Sequence, residues 1–88
     1  QKAGRPDRAA ELSQGILSRC EESFGPQHVN TLSVRECLGT ALIELGRMAE
    51  GVQHLETVAT GMTALYGPDH LRTHNANANL AHGHLNAG

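Results

Sequence analysis

One phrase occurs twice in this chain. Phe24–Leu32 reads FGPQHVNTL, and Tyr66–His74 reads YGPDHLRTH. Aromatic, Gly, Pro, one residue, His, two residues, Thr: the two copies lie 42 residues apart. At the same offset Gly4-Arg5 pairs with Gly46-Arg47, Leu38 with Leu80 and Gly46 with Gly88. Similar residues also align: Ile16 with Val58, Cys20 with Met62, Val29 with Leu71 and Ile43 with Leu85. Self-similarity at a fixed period is the signature of a stacked-repeat architecture, in which each unit buries its apolar face against its neighbours.

The segments between the matches carry apolar residues at helical spacing. The first stripe is Ala9, Leu12, Ile16, Cys20 and Phe24. The second is Val34, Leu38, Ala41, Leu42 and Leu45. The third is Met48, Val52, Leu55, Val58, Met62 and Leu65. The fourth carries Leu80, Ala81 and Leu85, with His74 and His84 interrupting it. No alternation of β-branched residues suggests a strand. The expectation is an all-α chain with helices at about 6–24, 29–45, 48–66 and 69–87.

The repeated phrase reads as a joint between helices. Gly25 and Gly67 can adopt the positive φ that closes a helix, and Pro26 and Pro68 cannot continue one. Polar residues then open the next helix, Asn30 and Thr31 in one copy, Asp69 and Thr73 in the other. Leu45-Gly46-Arg47 is a second, shorter joint. Short joints make neighbouring helices antiparallel. Two joints alternating along a chain build a stack of hairpins.

The sequence resembles a tetratricopeptide repeat array of the 42-residue variety found in kinesin light chains and in many bacterial multidomain regulators. Leu38-Gly39 with Leu42, and Leu80-Ala81 with His84, occupy the positions of the family's first helix. Gly51 with Leu55, and Ala9 with Ser13, occupy those of its second. His84 and Ser13 depart from the apolar residues the family prefers. The resemblance covers essentially the whole chain, in the order second, first, second, first helix. It implies antiparallel hairpins stacked as a superhelix, about two repeats in one segment spanning residues 1–88, and a place as a fragment of a longer array within a larger bacterial regulator.

The resemblance also implies a function: a non-catalytic scaffold that holds a protein or peptide ligand on the concave face. Carried over by position, the groove residues are Ser33, Glu36, Thr40 and Glu44 with Cys37 on one helix. On the other they are Asn75, Asn79, His82 and Asn86 with Ala78. Asn79 falls on the family's groove asparagine, whose amide both donates to and accepts from an extended backbone. The outer groove positions carry no lysine or arginine, which argues against capture of a carboxylate. Glu36 and Glu44 disfavour acidic ligands.

Other functions find little support. Seven basic and nine acidic residues give a net charge of −2, without the clustered positive surface that nucleic acid requires. No apolar run approaches the ~20 residues of a membrane span. Two cysteines, Cys20 and Cys37, are too few for a disulfide scaffold and point to reduced thiols in the cytoplasm, with a Cys20–Cys37 bridge as the alternative. No nucleophile elbow, phosphate loop or HExxH sequence is present, so no catalytic residue and no cofactor are assigned. His70 and His74 stand one helical turn apart, as two ligands of one metal ion would, but lack a third. His28 and His70 also belong to the joint, where an imidazole can bond exposed backbone. No metal site is assigned, and metal binding by histidines is a minor alternative. A stronger alternative is self-association, as a homodimer or by helix swapping, through Leu12, Ile16, Leu80 and Leu85 on the end helices.

Overall fold

The computed structural model describes the backbone of residues 4–87 and the side chains of residues 8–85. Four helices follow one another: α1 (Gly4–Phe24), α2 (Val29–Glu44), α3 (Met48–Tyr66) and α4 (Leu71–Ala87). No strand occurs among the described residues. Sequential helices pack on one another, and α2 also touches α4, whereas α1 and α3 make no contact among the described residues. The stack therefore curves, with α2 and α4 on its inner side. Its extents are 40 × 32 × 18 Å.

The two copies of the repeated phrase fold alike, and their aromatic, glycine, histidine and threonine each have a part. Gly25 and Gly67 stand at φ 90° and 89°. Gly67 has ψ 163°, so it lies in an extended, glycine-only region rather than the compact left-handed one. The histidine caps the next helix: His28 Nδ1 accepts the Asn30 N–H at 3.0 Å, and His70 Nδ1 accepts the Arg72 N–H at 3.0 Å. This is the backbone bond that the joint histidines are suited to make; among the described residues, neither Asn30 and Thr31 nor Asp69 and Thr73 supplies the cap. The aromatic residue stacks on this imidazole, with ring centroids 4.7 Å apart for Phe24–His28 and 4.5 Å for Tyr66–His70. The threonine sits inside. Thr31 and Thr73 are essentially inaccessible, and their hydroxyls donate to the carbonyls of Gly25 and Gly67 at 2.7 Å. They also lie within reach of the Cys20 and Met62 carbonyls of the preceding helix, at 3.3 and 3.1 Å. Carbonyls orphaned at a helix end are thereby satisfied by a residue of the next helix.

The shorter joint uses different chemistry. The Arg47 N–H donates to Leu42 O at 2.8 Å and the Gly46 N–H to Ile43 O at 3.0 Å, with Gly46 at φ 88°. This is the Schellman closure of α2. The short α2–α3 hairpin brings the two backbones together at Gly39 and Gly51. A Cβ on Gly51 would stand 2.7 Å from the Gly39 carbonyl oxygen and 2.6 Å from Ile43 Cγ1.

The core has two parts. Ala10, Leu17, Leu38, Ala41 and Leu42 pack between α1 and α2. Leu32, Val58, Ala59, Met62 and Ala76 pack among α2, α3 and α4. Leu38, Leu55 and Val58 are each 1 % exposed. Helix α2 is covered on both sides, which is why it buries residues around most of its circumference.

Two of the expected stripes lie elsewhere. On α1 the buried residues are Ala10 and Leu17, while Leu12, Ile16 and Phe24 are about half exposed or more, at 61, 48 and 50 %. On α4 the buried residues are Thr73, Ala76 and Gly83; Leu80 of the expected stripe is half-buried against the core, whereas Ala81 and Leu85 are exposed. In both helices a second apolar face points away from the neighbours present. Cys20 is half-buried and Cys37 exposed, and both are free thiols.

Candidate functional site

The inner face is built around α2. Four of the sequence-derived groove residues, Thr40 and Glu44 of α2 with Asn79 and His82 of α4, surround a small cavity of about 90 Å³ whose floor is Ile43 and Leu55. Glu36, Thr40 and Glu44 line a second cavity, of about 330 Å³, with Ala9 of α1 and with Cys37 and Ala41. Thr40 and Glu44 belong to both. The two hollows thus flank α2, one toward α4 and one toward α1, as parts of one trough.

Asn79 and Glu36 are joined across the trough. The Asn79 side-chain amide donates to the Glu36 carboxylate, a bond between residues 43 positions apart in sequence. The asparagine assigned to ligand capture is therefore already engaged. A ligand that used it would have to exchange one hydrogen bond for another. Ser33 is half-buried and Asn75 exposed, and neither lines these cavities. The side chain of Asn86 lies outside the described residues.

The outer face holds larger hollows, which nothing in the repeat pattern announces. The gap between α1 and α3 opens a cleft of about 580 Å³. Its floor is Leu38 and Leu42, and its walls include Gln14, Arg47, Glu50 and His54. It adjoins a hollow of about 470 Å³ lined by Gln27, Arg35, His54, Thr57 and Thr60. Between them stands a polar network tying three helices together. Arg35 of α2 donates to the Glu21 carboxylate of α1 at 2.6 Å, and its other terminal nitrogen lies 3.0 Å from His54 Nδ1 of α3. A guanidinium only donates, so His54 accepts through Nδ1 and is neutral in this arrangement. Burial pulls the His54 imidazole below its ordinary value, and the Arg35 charge acts in the same direction; Glu50 and Glu21 oppose them. Arg35 occurs once: its partner at the repeat offset is Asn77, so periodicity gave no sign of it.

Among the described residues no three His, Cys, Asp or Glu side chains stand together as metal ligands would. No described helix is long and apolar enough to cross a membrane. The histidines at positions 28 and 70 are occupied as caps, and His74 follows His70 by one turn without a third ligand.

Curved stacking, alternating joints and a tight glycine contact inside the hairpin define a helical-repeat protein. Residues 31–72 match the model of the family described as tetratricopeptide repeat, one full period from Thr31 to the residue before Thr73. The matched stretch is a tetratricopeptide-type repeat, of the 42-residue, kinesin-light-chain-like variety. Repeats of this family mediate protein–protein interactions and are typically non-catalytic. No curated protein and no solved structure matches the chain.

Proposed function

We propose that the chain is a non-catalytic scaffold segment of a larger regulator, and that it binds a partner polypeptide along its inner face. The observation that carries this reading is the trough itself. Residues of all four helices converge on it, it is polar at its rim and apolar at its floor, and Thr40 and Glu44 run through both of its hollows. Small hydroxyl, carboxylate and amide groups over an aliphatic floor suit an extended backbone, which needs donors and acceptors more than deep side-chain pockets. The contact residues in this reading are Asn79, Thr40, Glu44, His82 and Glu36, with Ser33 and Asn75 at the margins.

The experiment needs a partner, retrieved with the parent protein from its native host and then purified. Of the two bonds an extended backbone offers the amide, one replaces the bond to Glu36, so a net gain of about 0.5–1.5 kcal/mol makes Asn79→Ala weaken such a partner about two- to tenfold, with unchanged helical circular dichroism. Gln53→Ala or Glu56→Ala, on the outer helix α3, leaves binding intact. Full affinity in Asn79→Ala and Thr40→Ala, with loss in the α3 variants, moves the working surface to the outer cleft.

A further inference from the structure

We propose that the inner trough is built for a basic segment in extended conformation, with two lysines or arginines four residues apart. This rests on the inner-face reading above and assigns its ligand class. The first observation is charge. Among the described residues, the only charged ones lining the trough's two hollows are Glu36 and Glu44, and no lysine or arginine lines either. Neither glutamate forms an ion pair among the described residues. Glu36 is held by the neutral amide of Asn79, which fixes the carboxylate without cancelling its charge. On the outer face Glu21 is paired with Arg35 and Glu50 with Arg47, while Glu11, which lines the outer cleft, has no ion pair among the described residues.

The second observation is spacing. Glu36 and Glu44 lie eight residues apart on α2. At 1.5 Å of rise per residue their separation along the axis is about 12 Å. An extended chain advances about 3.3 Å per residue and returns to the same face every second residue. Its positions i and i+4 are thus about 13 Å apart on one face. Position i+2 falls between them, over Thr40, where a small or hydroxyl-bearing side chain fits. A pair at i and i+3 spans only about 10 Å and points to opposite faces.

The test uses three labelled peptides, capped at both ends and otherwise built from small uncharged residues. One has lysines at i and i+4, one of identical composition has them at i and i+3, and one has none. Binding to the full chain is read by fluorescence anisotropy at low salt, where exposed ion pairs are least screened. The i,i+4 peptide is expected to bind about three- to tenfold more tightly than the i,i+3 peptide, the gain of one to two exposed pairs. Glu36→Gln and Glu44→Gln should each remove most of that difference. Equal affinity for the two lysine peptides, or an advantage that survives both glutamine variants, overturns the proposal. So does failure of the i,i+4 peptide to bind. Thr40→Gln, which fills the trough between the glutamates, separates the two levels. If all three peptides bind alike and all are lost in Thr40→Gln, the inner face stands and the basic ligand falls. If binding is untouched by Thr40→Gln, both fall.

Discussion

Gly51→Ala is expected to destabilise the chain, although alanine is the better helix former. Gly51 lies inside α3, where replacing glycine by alanine favours the helix by about 0.8–1.0 kcal/mol in the absence of contacts. Here the added methyl would stand 2.6 Å from Ile43 Cγ1 and 2.7 Å from the Gly39 carbonyl oxygen. Ile43 can shift its rotamer, but the carbonyl belongs to the α2 backbone and cannot. The two helices must therefore separate by several tenths of an ångström at the point where Leu55 is packed between them. Overpacking of this kind costs about 1–3 kcal/mol, and a fixed backbone neighbour puts it at the upper end. The net loss is about 1–2 kcal/mol. The control is Gly15→Ala on α1, where the methyl meets nothing within 4 Å. The same change there should gain about 0.5–1 kcal/mol. Urea unfolding followed at a helical wavelength measures both, the midpoint moving down for one and up for the other at constant slope. If both midpoints rise, the close approach of α2 and α3 at Gly39 and Gly51 is wrong.

Three further outcomes follow from the joints and the polar network. Gly67→Ala, at φ 89° in a region other residues avoid, should cost about 1–3 kcal/mol in thermal unfolding, and a neutral result would refute that backbone. Thr73→Val keeps the shape but leaves the Gly67 carbonyl without its hydroxyl donor, at about 1–3 kcal/mol; a loss under half of that would mean water replaces it. His54 is held below its ordinary value near 6.5, first by burial and then by Arg35. The unfolded chain therefore takes up a proton first as pH falls, so stability is complete above about 6.5 and declines from there toward the folded value. Urea midpoints between about pH 7 and 5 should fall in the parent and stay flatter in His54→Gln, and identical profiles would remove His54 as the cause.

The joints were legible in the sequence because their chemistry is local. Glycine and proline announce a break, and two copies in register announce it twice. The work of the aromatic and the threonine was not legible, since stacking on the cap histidine and bonding to the preceding helix appear only once the turn is closed. The stripes of α2 and α3 were also legible, except at Leu65, which is 47 % exposed. The stripe on α1 misled for a physical reason. In a stack, a helix is apolar toward the neighbour on each side, and the pattern does not say which neighbour is there. Ile16 occupies the place of Val58, yet it is 48 % exposed where Val58 is 1 % exposed. The groove positions carried over by repeat register converge on one trough for Thr40, Glu44, Asn79 and His82. The Arg35 network, being present in one copy, leaves no periodic trace.

The apolar faces left open on α1 and α4 invite the idea that one copy covers another. Leu85 occupies the place of Ile43, which is 8 % exposed, and is itself 79 % exposed. If α4 of one copy met α1 of a second as α2 meets α3, the stack would continue without interruption. The residues at the crossing do not favour that register. Gly39 and Gly51, whose backbones touch, correspond to Ala81 and Ala9, so two methyl groups would occupy the space where no Cβ fits. Leu32, which rests on Gly61, corresponds to His74, and Gly61 to Arg19. A long basic side chain would then face an imidazole where a leucine now lies on bare backbone. The interface inside the chain is thus not reproduced by its two ends, and self-association through these faces requires a different crossing. Ala9 lies instead beside Cys37 and Ala41 in the floor of the inner trough. The first copy of the hairpin's small residue has become part of the surface proposed to receive the ligand.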